Sequence, residues 1–210
     1  MTNVLLVDDH EVVRRGLRQM LSEAFPELTF AEASRVPQAR ELLSREIWQL
    51  VVLDINLPDG SGLELLGQAK QLCPRAAVLV LSAYPEEEFA MRAFKLGAVG
   101  YLTKSSMAEE LTLAVKKILA GGRYVSAALA EKLAAALGDE HPEARHELLS
   151  PRELEVLRLV ALGKSIKEVA AQLLLSEKTI ATYRARVAEK LGLSSNVELA
   201  RYALQNGLVD

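Results

Sequence analysis

The feature of this sequence that most constrains its fold is an alternation of short apolar runs, rich in β-branched residues, with segments whose apolar residues recur at helical spacing. The strongest runs occupy residues 4–7, 50–53, 78–81 and 98–102. Because this rhythm is typical of right-handed β-α-β crossovers, it predicts an α/β fold with a doubly wound, five-stranded parallel sheet. The fifth strand is the weaker run Leu28–Ala33, which includes Thr29 and Glu32 and therefore suits a sheet edge.

The rhythm changes near residue 148, where the strand signals stop and only helical patterns continue. Several Ser-x-x-Glu pairs have the spacing of a capping box, which marks a helix start. They are Ser61/Glu64, Ser106/Glu109, Ser150/Glu153, Ser165/Glu168 and Ser195/Glu198. We therefore predict a first domain over residues 1–121, a linker with an Ala-rich helix over 122–146, and a small all-α domain over 147–210.

Composition narrows the class of protein. The 210 residues are 50% hydrophobic and 25% charged, as in a folded globular protein. Cys73 is the only cysteine, so an intrachain disulfide and a cysteine-based zinc site are excluded. The N-terminal apolar run is cut short by Asp8, and no later run approaches membrane-spanning length. We expect a cytoplasmic protein with no membrane partner.

The net charge of −3 argues weakly against nucleic acid as a partner, but the charge is uneven along the chain. Residues 1–146 carry 16 Lys and Arg against 20 Asp and Glu, whereas residues 147–210 carry 9 against 8. The whole-chain value therefore hides a change of sign between the two predicted domains.

Polar residues stand where the apolar strand runs end. Asp8 and Asp9 follow the first run, Asp54 and Ser82 follow two central ones, and Lys104 comes soon after the last. The carboxyl ends of parallel strands meet at one edge of an open sheet, where ligands bind. Clustered carboxylates suit a hard divalent cation, and Mg²⁺ is favoured when phosphate is present. An aspartate beside Mg²⁺, a lysine and a hydroxyl predicts phosphoryl transfer onto Asp54.

The segments that carry these residues resemble, in order and spacing, the receiver domain of two-component response regulators over roughly residues 1–121. They are residues 7–10, 53–60, 81–83 and 100–104. The resemblance implies that Asp54 is the phosphoacceptor. It also implies that Mg²⁺ is held by Asp8, Asp9, Asp54 and the backbone carbonyl of Asn56.

The same resemblance implies roles for residues around the phosphoryl group. Ser82 would donate a hydrogen bond to it and Lys104 would pair with it. Tyr101 occupies the aromatic switch position, and the small Ala83 leaves the site open to the phosphoryl donor. His10 lies where the first helix begins, which favours a surface role.

The helical part contains a helix-turn-helix pattern within residues 165–191. Two helical segments flank a short turn, and Ser176 is well placed to cap the second segment. One face of that second segment should be packed, because it carries Ile180, Tyr183, Val187 and Leu191. The opposite face and its flanks carry Lys178, Ala181, Thr182, Ala185, Arg186 and Glu189. On this pattern alone, an ordinary amphipathic helix with a solvated face is an equally good interpretation.

The amino-acid sequence of the helical part resembles the LuxR-type DNA-binding domain. The resemblance lies in residues 149–157, 163–170, 175–180 and 190–192. Together with the first domain, nearly the whole chain resembles a response regulator of the NarL/FixJ type. Two residues depart from the family's pattern: Ile166 stands where asparagine is usual, and Tyr183 where histidine is usual.

The family's pattern places Ala181, Thr182 and Ala185 nearest the bases of bound DNA. None of them can make a bidentate hydrogen bond to a base, so methyl contacts, DNA shape and phosphate contacts should carry more of the preference. Our candidates for DNA phosphate are Lys178, Arg186 and Lys190, and Thr179 completes the predicted DNA-binding set. Arg184 lies closer to the packed face and is expected to pair internally.

The last helix, which begins near Ser195, carries more apolar residues than one packed face of a short terminal helix needs. The candidates for a dimer surface are Val197, Ala200, Ala203 and Leu204. Small residues among them would allow close approach of a symmetry mate.

These observations favour a transcription factor that is not an enzyme. A sensor histidine kinase would phosphorylate Asp54, and a homodimer formed on phosphorylation would bind promoter DNA, with RNA polymerase as a further partner. One alternative is an adaptor whose helical domain binds protein. A small-molecule phosphatase is disfavoured, because Asn56 stands where the second carboxylate of such enzymes is common.

Overall fold

The computed structural model describes residues 2–126, 129–131 and 145–209. The chain divides into two compact units, Met1–Glu140 and His141–Asp210. Each unit is described below by itself. No helix within the described residues is long and apolar enough to cross a membrane.

The first unit alternates strands and helices, as predicted. Its strands are β1 (Thr2–Val7), β2 (Leu28–Ala33), β3 (Leu50–Asp54), β4 (Asn56–Leu57), β5 (Gly60–Ser61), β6 (Ala77–Ser82) and β7 (Gly100–Thr103). Its helices are α1 (Glu11–Ala24), α2 (Val36–Arg45), α3 (Gly62–Leu72), α4 (Glu86–Lys95) and α5 (Met107–Leu119).

Five of the strands form one parallel sheet in the order β2-β1-β3-β6-β7. The predicted doubly wound sheet is therefore confirmed, with β2 at an edge. Every residue of the central strand β3 is buried, as expected when helices cover both faces of a parallel sheet. The strand order reverses between β1 and β3, and this reversal opens a crevice at their carboxyl ends.

The strands β4 and β5 form a small antiparallel hairpin directly after β3. Its close approach to β3 depends on Gly62, because a Cβ at that position would lie 2.2 Å from the carbonyl oxygen of Asp54. The hairpin is thus held against the end of β3, next to Asp54.

Apolar side chains from the sheet and from the helices that cover it form the core of the first unit. One cluster joins Leu6, Val52 and Leu81 of the sheet to Leu111 and Ile118 of α5. Elsewhere in the unit, the indole of Trp48 is 2% exposed. Its Nε1–H donates to the carbonyl oxygen of Leu42 at 3.0 Å, which satisfies the one polar atom of that ring.

The first unit continues past residue 121, where we predicted its end. Tyr124 is buried against the apolar core. Its backbone N–H donates to the carbonyl oxygen of Val99 at 2.8 Å, and its hydroxyl donates to Glu110 Oε2 at 3.0 Å. A boundary predicted from the local sequence pattern cannot take such long-range contacts into account. The predicted linker helix falls mostly outside the described residues. Within it, residues 129–131 are described, and they are helical.

The second unit is helical throughout its described part. It contains a short 3₁₀-helix, Arg145–Leu148, followed by α6 (Pro151–Ala161), α7 (Ile166–Leu173), α8 (Glu177–Leu191) and α9 (Asn196–Gln205). The 3₁₀-helix packs with the unit, since His146 N–H donates to the Tyr202 hydroxyl at 3.0 Å. The unit therefore begins before residue 147, the predicted start.

The predicted capping boxes are correct in the second unit and wrong in the first. Both reciprocal hydrogen bonds are present at Ser150, Ser165 and Ser195. Ser61 and Ser106 do precede helices, but neither side chain makes the capping hydrogen bond. The Ser106 hydroxyl donates instead to the Thr103 carbonyl oxygen at 3.2 Å, within the preceding turn.

Candidate functional site

The crevice at the carboxyl end of the sheet gathers the charged residues that the sequence singled out. Asp8 follows β1, Asp54 ends β3 and Lys104 follows β7, so three different strands supply them. Lys104 Nζ lies 2.6 Å from Asp8 Oδ2 and 2.7 Å from Asp54 Oδ2. Both carboxylates are almost fully buried, so this lysine forms a buried bridge between them.

Burial and charge shift the ionisation of this group of residues. Burial disfavours the carboxylate of Asp54, and although Lys104 opposes the effect, the pKa of Asp54 rises to about 6. Burial also disfavours the ammonium of Lys104, but attraction to Asp54 and the hydrogen bonds that the ammonium donates to both carboxylates outweigh this effect. The pKa of Lys104 therefore lies above its ordinary value.

The acidic cluster has the donor set of a divalent-cation site. Ligand atoms of Asp8, Asp9, His10 and Asp54 all lie within 4.8 Å of one another. Three carboxylates face one ammonium, so the ionised cluster has an excess of negative charge that a hard cation would neutralise. The residues of this crevice thus fit Mg²⁺.

His10 belongs to this cluster more closely than the sequence suggested. Its side chain is exposed, as predicted, but its Nδ1 lies 2.7 Å from Asp9 Oδ1 and 3.2 Å from Asp8 Oδ1. Its backbone N–H also donates to Asp8 Oδ1 at 2.8 Å. The adjacency of His10 to two aspartates at a strand end was the signal that could have identified it.

Asn56 orients the predicted phosphoacceptor. Its backbone N–H donates to Asp54 Oδ1 at 2.9 Å, while Lys104 holds the other carboxylate oxygen. Each oxygen of Asp54 therefore has its own partner, which fixes the plane of the carboxylate.

The predicted switch residues surround the loop that follows β6. Ser82 is fully buried, and its hydroxyl accepts the backbone N–H of Tyr84 at 3.0 Å. Because the hydroxyl accepts here, its own hydrogen can be donated to another oxygen. Tyr101 is also fully buried, and its hydroxyl donates to the Tyr84 carbonyl oxygen at 3.2 Å. Ala83 is exposed beside them.

In the second unit, α7 and α8 form the predicted helix-turn-helix. The Ser176 side chain caps α8 by accepting the backbone N–H of Thr179 at 3.1 Å. The predicted packed face of α8 is buried at Ile180, Tyr183, Val187 and Leu191. The exposed positions include Lys178, Ala181, Thr182, Ala185 and Arg186, and Thr179 is half-buried.

One arginine and one lysine of α8 pair with other residues of the same unit. Arg184 Nε donates to Asn196 Oδ1 at 2.7 Å, as its predicted internal pairing requires. Lys190 was predicted to contact DNA phosphate, and here the structure differs. Its Nζ lies 2.8 Å from Oε2 of Glu153, whose side chain is 2% exposed, so the ammonium serves an internal ion pair.

The turn between α7 and α8 contains Leu174 in the left-handed region, with φ 54°. Its side chain is 91% exposed. A branched side chain in this conformation is disfavoured, and no burial compensates it.

Three of the four residues predicted for a dimer surface are exposed or half-buried in the last helix. Val197 and Leu204 are exposed, Ala200 is half-buried between them, and the three lie on one face of α9. Ala203 has no exposed surface, so its assignment to a dimer surface is wrong. It lies on the face of α9 that packs into its own unit.

Comparison with known proteins identifies both units. Residues 4–116 match the response regulator receiver domain, and residues 147–203 match the luxR family of bacterial regulatory proteins. The chain is 33% identical over 211 residues to the response regulator GacA of Pseudomonas aeruginosa, covering 100% of this chain and 99% of GacA. It is 32% identical over 209 residues to UvrY of Escherichia coli, covering 99% and 96% respectively.

Among solved structures, RcsB of Salmonella enterica serovar Typhimurium, bound to a promoter, matches with a TM-score of 0.60 and 26% identity. The match covers 96% of this chain and 97% of RcsB. Both family matches fall on the units that the fold separates, and the receiver match includes the acidic crevice. The chain therefore belongs to the response regulators of the NarL/FixJ type, with a receiver domain and a LuxR-type DNA-binding domain.

Proposed function

We propose that this response regulator accepts a phosphoryl group on Asp54 and thereby controls binding of promoter DNA by α8. The observation that carries this proposal is the bridge from Lys104 to Asp54 and Asp8 at the carboxyl edge of the sheet. A buried aspartate with one fixed lysine partner and two neighbouring carboxylates is equipped for phosphoryl transfer.

The transfer forms one bond and breaks another. An oxygen of Asp54 attacks the phosphorus of a phosphohistidine on a sensor histidine kinase, the P–O bond forms and the P–N bond breaks. Asp8, Asp9, Asp54 and the Asn56 carbonyl would hold Mg²⁺, which neutralises charge on the phosphoryl oxygens when bound. Lys104 would pair with the new phosphoryl group, and Ser82 would donate its hydroxyl hydrogen to it. The exposed Ala83 leaves room for the donor.

In the helical unit, the exposed face of α8 is proposed to enter the major groove. Ala181, Thr182 and Ala185 would lie near the bases, with Thr179 beside them, and Lys178 and Arg186 would contact phosphate. Lys190 does not belong to this set of phosphate contacts, because its ammonium is paired with Glu153. With few base-specific donors available, phosphate contacts should dominate the affinity.

We further propose that phosphorylation favours a homodimer on DNA. The exposed residues Val197, Ala200 and Leu204 of α9 supply an apolar face for a second copy. Two recognition helices on a two-fold axis would double the contacts of a helix that has few of its own. The bound dimer would act on RNA polymerase, in the cytoplasm where the chromosome lies.

The test of the receiver function is phosphorylation of the full chain by a small phosphodonor with Mg²⁺. Intact mass should show one phosphoryl group on the natural sequence and none on Asp54→Asn. Lys104→Ala should still bind Mg²⁺ but should fail to convert phosphorylation into tighter DNA binding. Labelling that persists in Asp54→Asn at another residue would contradict the assignment.

The test of the DNA-binding function is the salt dependence of affinity for duplexes selected from a random pool. Arg186→Ala should weaken all sequences alike and reduce the log–log salt slope by about 0.9, the value of one phosphate contact. Lys190→Ala, measured beside it, should leave the slope unchanged, because that lysine is paired internally. Loss of a single base preference in Arg186→Ala would mean that Arg186 recognises a base. Absence of DNA binding in both phosphorylation states would favour the adaptor that binds protein.

A further inference from the structure

The segment that leaves the receiver is fastened to the start of α4 by a side-chain hydrogen bond. The Ser126 hydroxyl donates to Oε2 of Glu86, the first residue of α4. The same hydroxyl accepts the backbone N–H of Leu129 at 3.1 Å, and the Ser126 carbonyl oxygen accepts that of Ala130 at 3.0 Å. The helical turn at 129–131 therefore starts from a serine that is held by α4.

The start of α4 is itself joined to the phosphoryl site by a short, constrained loop. Tyr84 is held at both backbone ends, since its N–H donates to the Ser82 hydroxyl and its carbonyl oxygen accepts from the Tyr101 hydroxyl. Pro85 follows with φ −56°, near the value its ring imposes. A shift of Ser82 or Tyr101 must consequently displace the Tyr84 backbone and, through Pro85, move Glu86.

We propose that the hydrogen bond between Glu86 and Ser126 transmits phosphorylation at Asp54 to the segment that leads to the DNA-binding unit. This inference rests on the proposed function, because it requires that Ser82 and Tyr101 respond to a phosphoryl group. Glu86 and Ser126 are positioning residues: they contact neither the phosphoryl site nor DNA in the proposal, and they set where the outgoing segment begins.

The same segment has a second attachment to the receiver, at Tyr124, which does not depend on Glu86. Tyr124 is anchored to β7 and α5, through its N–H to the Val99 carbonyl oxygen and its hydroxyl to Glu110. Neither partner belongs to the loop after β6. When Glu86 moves and the Tyr124 anchor stays, the segment between them changes direction, because its two ends no longer move together.

The test compares DNA affinity of the full chain before and after phosphorylation, as a ratio for each variant. In Glu86→Ala and Ser126→Ala, Asp54 should be phosphorylated to the natural extent, but the ratio should fall at least about fivefold toward one, the lower range of allosteric coupling. Glu86→Gln keeps an acceptor oxygen and, like Glu86→Ala, lacks the charge, so it should retain the natural ratio. Tyr124→Phe, the matched control on the second attachment, should also retain it, because the backbone N–H at position 124 still anchors the segment to the Val99 carbonyl oxygen.

Two further measurements keep the outcome decisive. The double variant Glu86→Ala/Ser126→Ala should have no larger effect than Ser126→Ala alone, because both substitutions remove the same hydrogen bond between Ser126 and Glu86. Only the serine change also removes the acceptor of the Leu129 N–H. Hydrogen exchange in the peptide that contains residues 123–131 should respond to phosphorylation in the natural chain and not in Glu86→Ala, whatever its DNA affinity. An unchanged ratio and exchange response in Glu86→Ala would overturn the proposal. A natural chain that takes up no phosphoryl group, or whose DNA affinity ignores it, would overturn the proposed function itself.

Discussion

The carboxyl group of Asp54 has a pKa raised from its ordinary value to about 6. Its raised pKa, about 6, reflects burial at the sheet edge and the nearby charge of Asp8, against which Lys104 acts. A bound cation requires the ionised form, so protons and metal compete for the same oxygens. This competition gives the residue a measurable signature.

We expect the apparent affinity for Mg²⁺ to be roughly tenfold weaker at about pH 5 than at about pH 7.5, because most Asp54 side chains are protonated at the lower pH. Isothermal titration calorimetry of the natural chain across this range gives the profile. Asp54→Asn should bind Mg²⁺ more weakly at the upper pH and show a flatter dependence. An equally steep profile in that variant would assign the titration to another residue.

Leu174 offers a second test at the residue scale. Because it adopts φ 54° and is almost fully exposed, Leu174→Gly removes strain without removing a buried contact. We expect the free energy of unfolding of the second unit to increase by about 0.5–1 kcal/mol. The relieved strain stabilises the folded unit, and the greater freedom of glycine in the unfolded chain offsets part of that gain. Urea unfolding followed by circular dichroism measures the change. Gly192→Ala, at φ 67° after α8, should change stability by a similar amount in the opposite direction.

At the scale of elements, α8 is fastened to the start of α6 by a buried ion pair. Glu153 Oε2 accepts the Ser150 backbone N–H at 2.7 Å and the Lys190 ammonium at 2.8 Å. The pair ties the C-terminal end of the proposed recognition helix to the capping box of its neighbour. It thereby holds this end of the helix on the unit.

Replacing Lys190 by Met should destabilise the second unit by about 1–3 kcal/mol, because it leaves the Glu153 carboxylate buried with one partner fewer. Lys178→Met, an exposed position on the same helix, should change stability by less than about 0.5 kcal/mol. Denaturant midpoints of the two variants provide the comparison. Glu153→Gln combined with Lys190→Met should recover part of the loss, and failure to do so would mean that the stem of Lys190, not its charge, stabilises the unit.

Sequence reasoning succeeded where the determining contacts are local and failed where they are remote. The capping boxes at Ser150, Ser165 and Ser195 were predictable because each involves residues three apart. Ser106 has the same spacing, but the Thr103 carbonyl takes its hydroxyl, and spacing does not report that competition. The strand-end rule likewise gathered Asp8, Asp54 and Lys104 without knowledge of the fold.

Two further failures have the same physical cause. The periodicity of α9 alone could not distinguish Ala203, which packs inside its unit, from the exposed Val197 and Leu204. Similarly, Tyr124 lies beyond a glycine pair that ends the local pattern, and only its contacts with Val99 and Glu110 reveal that it belongs to the first unit. Both errors concern which surface a side chain meets after folding.

At the scale of the whole molecule, the stability of the second unit should depend on pH through His146. Burial lowers the pKa of His146, and Arg158 adds to this effect while Glu147 opposes it. The folded second unit therefore binds fewer protons than the unfolded chain as the pH falls through 6.5, the ordinary histidine value. Its stability falls over that range and levels off below the folded pKa.

We expect the midpoint of thermal unfolding of the second unit to decrease as the pH falls below about 6.5. His146→Gln should remove this part of the pH dependence, because glutamine does not titrate. Circular dichroism melts of the full chain at several pH values would measure it. The same acid-dependent loss in His146→Gln would assign the effect to other groups.

Trp48 provides a fluorescence signal that is specific to the first unit. It is the only tryptophan in the sequence, and it is buried in the first unit with its indole nitrogen bonded to the Leu42 carbonyl oxygen. Emission excited selectively from tryptophan therefore reports the receiver alone, while helical ellipticity is contributed by both units. A single denaturant titration recorded with both signals would resolve two unfolding transitions, and phosphorylation or DNA could be assigned to the unit that each one stabilises.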